Sequence, residues 1–240
     1  MNTITCIGHS GFAIETASTT LIFDYYTDHE GVLTAILERA KAIYVFVSHS
    51  HRDHLNPDIF GWVGRYPIAR YIIANECRRK LQRHHHTDIL PITFLSPGKD
   101  WSDGHVDVHA FGSTDAGDSF LVQANGKRIF HAGDLNCWAT EHEQTENLRR
   151  KAIGDWQAVL HTIKAQVSHL DLAMFPVIPN LGGDFARGAR EFLQAVPCDL
   201  FIPMHMWGRD SEATQFALYQ HPAHGQCLYL PQGASITLPR

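Results

Sequence analysis

Residues 42–47, Ala-Ile-Tyr-Val-Phe-Val, form an almost wholly apolar run that leads straight into His49-Ser50-His51-Arg52-Asp53-His54. The run is rich in β-branched and aromatic side chains and reads as a buried strand. Three imidazoles and a carboxylate at the C-terminal end of that strand are donors suited to zinc, manganese or iron rather than calcium or magnesium. Side chains two apart on an extended segment point the same way, so His49 and His51 can face one ion, while a turn after Arg52 lets Asp53 and His54 face another. On this reading the fold places a sheet edge where cations sit. The competing reading takes these as surface histidines at the start of a helix, because Asn56-Pro57 just downstream is a good helix N-terminus.

The rest of the chain supplies a sheet-rich frame for that edge. Ile4 to Glu15 and Thr20 to Tyr25 read as two strands joined by a turn at Thr16-Ala17-Ser18, with Gly8-His9-Ser10-Gly11 bending the first strand or bringing backbone close to something. Further strands are expected at Ala69–Ala74, at Ile92–Leu95 before the Ser96-Pro97-Gly98 turn, and at Val106–Phe111, which alternates as a half-exposed strand should. Ser119–Ala124 and Arg128–His131 flank Asn125-Gly126, a strong hairpin signal. Leu148, Ala152, Trp156, Val159, Leu160 and Ile163 recur at helical spacing and predict an amphipathic helix over about 142–166. A strand over 170–177, a helix capped by Asp184 with Phe185, Ala189, Phe192, Leu193 and Val196 inward, and a last strand at Cys198–Pro203 complete the expectation. Sheets covered by helices follow, in a single domain over residues 1–240.

Composition excludes several function classes. A formal net charge of -5, with 19% charged residues, argues against a nucleic-acid footprint, and Arg78-Arg79-Lys80 and Arg149-Arg150-Lys151 read as solvated helix faces. No apolar stretch is long enough to span a bilayer and the N-terminus lacks the basic start of a secretory signal, so a soluble cytoplasmic protein with a small-molecule partner, and neither nucleic acid nor membrane, is expected. The five cysteines are widely spaced and read as reduced thiols. His84-His85-His86 reads as a solvated loop rather than a metal tract.

Ligands from distant stretches must complete any centre built on residues 49–54. Ile129-Phe130-His131-Ala132-Gly133-Asp134 runs a strand into a carboxylate, and Phe201-Ile202-Pro203-Met204-His205 does the same with an imidazole, which makes Asp134 and His205 the best candidates. Taken alone, the first could be a turn aspartate and the second a core histidine. Cys137 lies close enough to Asp134 to be watched, although buried packing suits it better.

Together these stretches resemble the metallo-β-lactamase fold superfamily of metal-dependent hydrolases. Gly8-His9-Ser10-Gly11-Phe12 with Leu21-Ile22-Phe23-Asp24 is similar to that family's opening hairpin, and His49 to His54, Gly133-Asp134 and His205 follow in the expected order. The resemblance implies an α/β (α+β) fold, a four-layer αββα sandwich of two mixed β-sheets flanked by helices, with the metals at one edge. It implies two divalent ions, zinc first and manganese as the alternative: His49 and His51 on one, Asp53, His54 and His205 on the other, Asp134 between them, and Asp24 orienting a ligand imidazole. One departure stands out. Where the family places a third histidine for the first ion, this chain has Ser113, and either Asp115 reaches in as a substitute or the first site is weak. The loop resembles that of the ascorbate-6-phosphate lactonase-like branch, whose look the stretch from Phe130 to Asn136 shares. His109 on the preceding strand could face either way.

Two ions about 3.5 to 4 Å apart activate water near neutral pH, so the expected activity is hydrolysis of a small ester, lactone or amide, with Asp53 and Asp134 as catalytic carboxylates orienting the hydroxide. A phosphodiesterase on the same scaffold and a degenerate, non-catalytic metal- or ligand-binding member, motivated by Ser113, are the alternatives. Carbonyl substrates are favoured because only Arg52 and Arg209 lie near the expected site. Trp62, Asn136, Trp138 and Trp207 are candidate substrate contacts.

Overall fold

Alternation along the strands decides how the layers stack. In β4 (Ile43–Val47), Tyr44 and Phe46 join one apolar cluster while Ile43, Val45 and Val47 join another, as a strand buried on both faces requires. The computed structural model describes residues 2–84, 90–140, 145–219 and 225–238. One seven-stranded sheet runs β14-β1-β2-β3-β4-β5-β6, with β1 Asn2–Gly8, β2 Gly11–Glu15, β3 Thr20–Phe23, β5 Ile68–Ala74, β6 Ile92–Leu95 and β14 Ser235–Leu238. The other runs β13-β12-β11-β10-β9-β8-β7, with β7 Asp100–Ser102, β8 Val106–Gly112, β9 Asp118–Ala124, β10 Lys127–His131, β11 Leu170–Pro176, β12 Cys198–Met204 and β13 Gln226–Cys227.

Each sheet is antiparallel on one side and parallel on the other. The switch falls at β3, antiparallel to β2 and parallel to β4, and at β10, antiparallel to β9 and parallel to β11. Phe46 meets Phe120 across the sheets with ring centroids 5.9 Å apart, and Phe23 stacks on His131 at 5.0 Å. Outside the first sheet lie α1 (Leu33–Arg39) and α2 (Arg78–His84); outside the second lie α3 (Glu146–Gln166), α4 (Arg187–Ala195) and α5 (Asp210–Tyr219). Leu33, Ile36, Leu37 and Leu81 cover the first sheet's outer face, and Trp156, Ile163, Phe192 and Phe216 that of the second. The four-layer αββα arrangement expected from the sequence is the one observed.

Several boundaries differ from expectation, each for a local reason. The Ile4–Glu15 segment is two strands, because positive φ at Gly8 and His9 reverses the chain and β2 folds back on β1. The long helix starts at Glu146, where the Thr145 hydroxyl accepts from the Leu148 N–H; residues 141–144, where its first turn was expected, lie outside the described residues. Leu148, taken as inward, is 54% exposed. Asp184 does not cap α4: its carboxylate pairs with Arg190, and the helix begins three residues later. Cys198–Met204 is not the last strand, since α5, β13 and β14 follow and β14 closes the first sheet against β1. All five cysteines are free thiols. Of the histidine run, His85 and His86 lie outside the described residues, as does the side chain of His84. No described helix is long and apolar enough to cross a membrane.

Candidate metal centre

The two switch points lie side by side, and the donors come from the C-terminal ends of the strands that meet there, the position where open α/β sheets bind ligands. Asp24 follows β3, residues 48–54 follow β4, Asp134 follows β10 and His205 follows β12. The β8–β9 loop brings Asp115, and the tip of the β1–β2 hairpin brings His9. Backbone strain collects here. Among the described residues, the non-glycine positions with positive φ are His9, Asp24, His205 and Trp207, all at this edge, and Asn125, which with Gly126 forms the β9–β10 turn. Left-handed conformations persist in such residues where the surroundings over-determine them.

Two donor groups form. His49, His51, Asp115 and Asp134 make one; His9, Asp53, His54 and His205 make the other, with one ligand atom of each residue within 4.8 Å of its fellows. Asp134 faces both: Oδ2 lies 3.3 Å from His49 Nε2, while Oδ1 lies 3.1 Å from His54 Nε2 and 3.1 Å from His205 Nε2. Asp53 Oδ2 sits 3.6 Å from His54 Nε2 and 3.5 Å from His205 Nε2, and Asp115 Oδ2 lies 3.6 Å from His51 Nδ1. None of these is a hydrogen bond. The Nε2 atoms of His49, His54 and His205 and Asp134 Oδ1 are buried without a hydrogen-bond partner, which ordinarily costs about 1–3 kcal/mol each. Donors about 2.0–2.2 Å from a tetrahedral zinc ion lie roughly 3.4 Å from one another, so the observed spacing suits a shared cation.

Charge points the same way. Burial opposes ionisation of Asp134, yet His205, His49 and His54 hold it far below the usual carboxylate range, and His205, His9 and His54 do the same for Asp53. Burial disfavours a proton on His54, but Asp24 and Asp134 push its pKa up to about 10. Carboxylates packed this densely draw in positive charge.

Sequence and fold comparisons place this geometry in a lineage. The profile of the Beta-lactamase superfamily domain matches residues 3–150. The chain belongs to that superfamily. It is 26% identical over 217 residues to a UPF0173 metal-dependent hydrolase of Pelotomaculum thermopropionicum, covering 84% of this chain and 83% of the relative. Its fold is similar to Igni18, a metallo hydrolase of Ignicoccus hospitalis (TM-score 0.68, 15% identity, 98% and 97% of the two chains). It is likewise similar to the metallo-β-lactamase fold protein YhfI of Bacillus subtilis (TM-score 0.64, 12% identity, 98% of each chain).

Within this β-lactamase superfamily fold, a second layer fixes the donors. The buried Asp24 carboxylate accepts from Ser48 N at 2.7 Å, Ser48 Oγ at 2.5 Å and His54 Nδ1 at 2.7 Å. Its contact with His54 leaves Nε2 as that ring's free donor. Ser48 Oγ, donating to Asp24, accepts from His49 Nδ1 at 2.9 Å, so one carboxylate sets two tautomers. His131 is close to Asp24 but serves the frame: Nε2 donates to Ser10 O at 2.9 Å and Nδ1 accepts from Gly133 N at 3.2 Å. Trp138 donates its indole N–H to the Asp134 carbonyl at 3.0 Å. Two glycines allow the loops to close on residue 48. A Cβ at Gly117 (φ +63) would lie 2.0 Å from Ser48 O, and one at Gly133 (φ +54) would lie 2.7 Å from Ser48 Cβ.

The structure brings His49, His51, Asp53, His54, Asp134 and His205 together with Asp24 behind them, and sorts the remaining candidates. Asp115 reaches His51, whereas Ser113 Oγ accepts from Asp115 N at 3.3 Å and stays in its own loop. Thr114 Oγ1 grips that loop to the next, donating to Asn136 O at 2.5 Å and accepting from Asn136 N at 3.0 Å. Asn136 itself is buried and accepts from Cys137 N, so its side chain supports the loop rather than meeting substrate. Trp62 packs in the core under the first sheet. His109 pairs with Asp100 at 2.6 Å, away from the centre. His9 is the residue sequence reasoning passed over. Its Nε2 lies 3.1 Å from Asp53 Oδ2, burial holds its pKa below the usual value against the pull of Asp53, and its carbonyl accepts from His205 N at 3.4 Å. The signal for it was the Gly-His-Ser-Gly tetrapeptide, read as bending the first strand or bringing backbone close to something; it is the tip of the β1–β2 hairpin.

Proposed function

We propose that this metal-dependent hydrolase holds two divalent ions, zinc first and manganese as the alternative, and hydrolyses a small ester, lactone or amide. The observation that carries the reading is the set of buried, unpartnered Nε2 atoms of His49, His54 and His205 converging on the two oxygens of Asp134. Four carboxylates, Asp24, Asp53, Asp115 and Asp134, surround the imidazoles, and two divalent cations balance that charge. His49, His51 and Asp115 would hold one ion and Asp53, His54 and His205 the other, with Asp134 placed to serve both. Ions bound there would supply Lewis acidity and make water a competent nucleophile near neutral pH.

The protein's own part is orientation. Asp53 and Asp134 aim the attacking water; His9 holds Asp53 by a hydrogen bond from its neutral ring; Asp24 and Ser48 keep the ligand rings facing inward. Asp115 supplies the donor that Ser113 does not, which favours catalysis over a degenerate binding role. Carbonyl substrates fit better than phosphodiesters because Arg209 is engaged by Glu212 and Arg52 is exposed. The free thiols and the small polar edge suit a cytoplasmic protein acting on small molecules, without nucleic acid or membrane. The test is turnover of lactones, nitrophenyl esters and bis-nitrophenyl phosphate by the wild type and by His51→Ala. Ester or lactone hydrolysis lost in the variant supports the reading; turnover of the phosphodiester alone, or none at any metal loading, refutes it.

A further inference from the structure

A cavity of about 230 Å³ opens beside the second donor group, between the β1–β2 hairpin tip, the segment after β3, and the chain that follows His205. His9 belongs to both: its Nε2 meets Asp53 while its ring forms part of the cavity wall. Around it stand Tyr26, Met206, Trp207 and Tyr229, with Asp210 as the one carboxylate and no lysine or arginine among the lining residues. Trp207 is the unusual member. It is 51% exposed, sits at φ +51, and its ring centroid lies 4.3 Å from that of His9 and 5.7 Å from that of His205. A tryptophan held in a left-handed conformation persists only where its surroundings over-determine it, and such positions cluster at functional sites.

We propose that this cavity is the substrate pocket and takes an uncharged planar aromatic group stacked on Trp207, with the bond to be broken lying over the metal centre. The inference rests on the hydrolase reading and gives it a substrate class. Size supports it, since a cavity of about 150 Å³ already accommodates benzene and this one leaves room for a substituted ring. Chemistry supports it too. Indole and phenol faces offer offset or edge-to-face contacts to a second ring, whereas the lining offers an anionic substituent on that ring Asp210 and neither lysine nor arginine.

The test uses purified, metal-loaded, ¹⁵N-labelled protein titrated with benzamide and with benzenesulfonate while the Trp207 indole N–H resonance, assigned by its loss in Trp207→Phe, is followed. Benzamide is expected to shift that resonance at least tenfold more tightly than benzenesulfonate, and Asp210→Asn to narrow the gap. By ligand-observed saturation transfer, Trp207→Ala should weaken benzamide binding at least tenfold and Trp207→Phe should retain most of it. Equal binding of the two probes, no perturbation at Trp207, or equal losses in the two Trp207 variants would overturn the proposal. In the kinetic arm, Trp207→Ala should lower kcat/KM for methyl phenylacetate about tenfold more than for methyl butanoate, mainly through KM; equal losses count against the pocket. Absence of turnover for both esters refutes ester hydrolysis, and the binding arm still decides the pocket.

Discussion

Asp24→Asn tests the carboxylate that lies behind the donor rings and is not among the proposed ligands. Asparagine matches aspartate in size and tolerates the left-handed backbone at this position (φ +40), so the substitution changes charge and hydrogen bonding without new backbone strain. The carboxylate accepts three hydrogen bonds, from Ser48 N, Ser48 Oγ and His54 Nδ1. A carboxamide has only one acceptor atom. If its oxygen serves the Ser48 backbone, its NH₂ faces the Nδ1–H of His54, and the ring must turn or shift its proton to Nε2, the atom that points at Asp134. Loss of an outer-layer partner of this kind lowers metal affinity about 10- to 100-fold, which is roughly 1.4–2.8 kcal/mol at 1.4 kcal/mol per decade. Competition against a chromophoric chelator measures that affinity, and circular dichroism of the metal-loaded variant checks the fold. Affinity within twofold of wild type in a folded Asp24→Asn protein would refute the claim that this carboxylate sets the ligand tautomers.

Asp115→Ala should remove about one equivalent of metal by elemental analysis and leave the equivalent at Asp53, His54 and His205 in place; retention of both would show that Asp115 is not a ligand. Gly117→Ala should destabilise by at least about 3 kcal/mol in urea unfolding, because a Cβ there lies 2.0 Å from Ser48 O at a φ of +63; a change below 1 kcal/mol, taken as roughly the scatter of surface substitutions, would contradict that packing. Burial, helped by Glu76, pushes Asp118 up to about 7 from 3.8. The folded state therefore keeps a proton that the unfolded chain gives up, and this group's contribution to stability is fully present below about pH 4 and is lost as pH rises through about 7. Asp118→Asn should gain on the wild type across that window, by at most roughly 4 kcal/mol, and parallel stability–pH curves for the two proteins would refute the assignment.

Strand ends made the centre legible. Residues 42–47 read as a buried strand, which put the imidazoles after it at a sheet edge, and Asp134 and His205 follow strands of the same apolar character. The fold's second half was readable for a similar reason, since helical spacing in 146–166 and 187–195 alternates with apolar strands. What sequence left open depended on contacts distant in the chain. Ser113 and Asp115 are equally polar neighbours, and only the Thr114 clasp on Asn136 settles which one meets His51. His9 was hidden because four residues that reverse the chain read much like four that bend it. The last strand, Ser235–Leu238, is short and half exposed, and its place is set by pairing with β1 rather than by its own pattern. Helix α1 is only seven residues long, too brief for periodicity to stand out.

Donors from four separate stretches, residues 49–54, Asp115, Asp134 and His205, are proposed to share two cations. Elemental analysis of the purified protein together with anomalous scattering from a crystal tests it directly. The expected result is two ions per chain, one among His49, His51 and Asp115, the other among Asp53, His54 and His205, with Asp134 reaching both. A single ion, none, or ions bound elsewhere would contradict it.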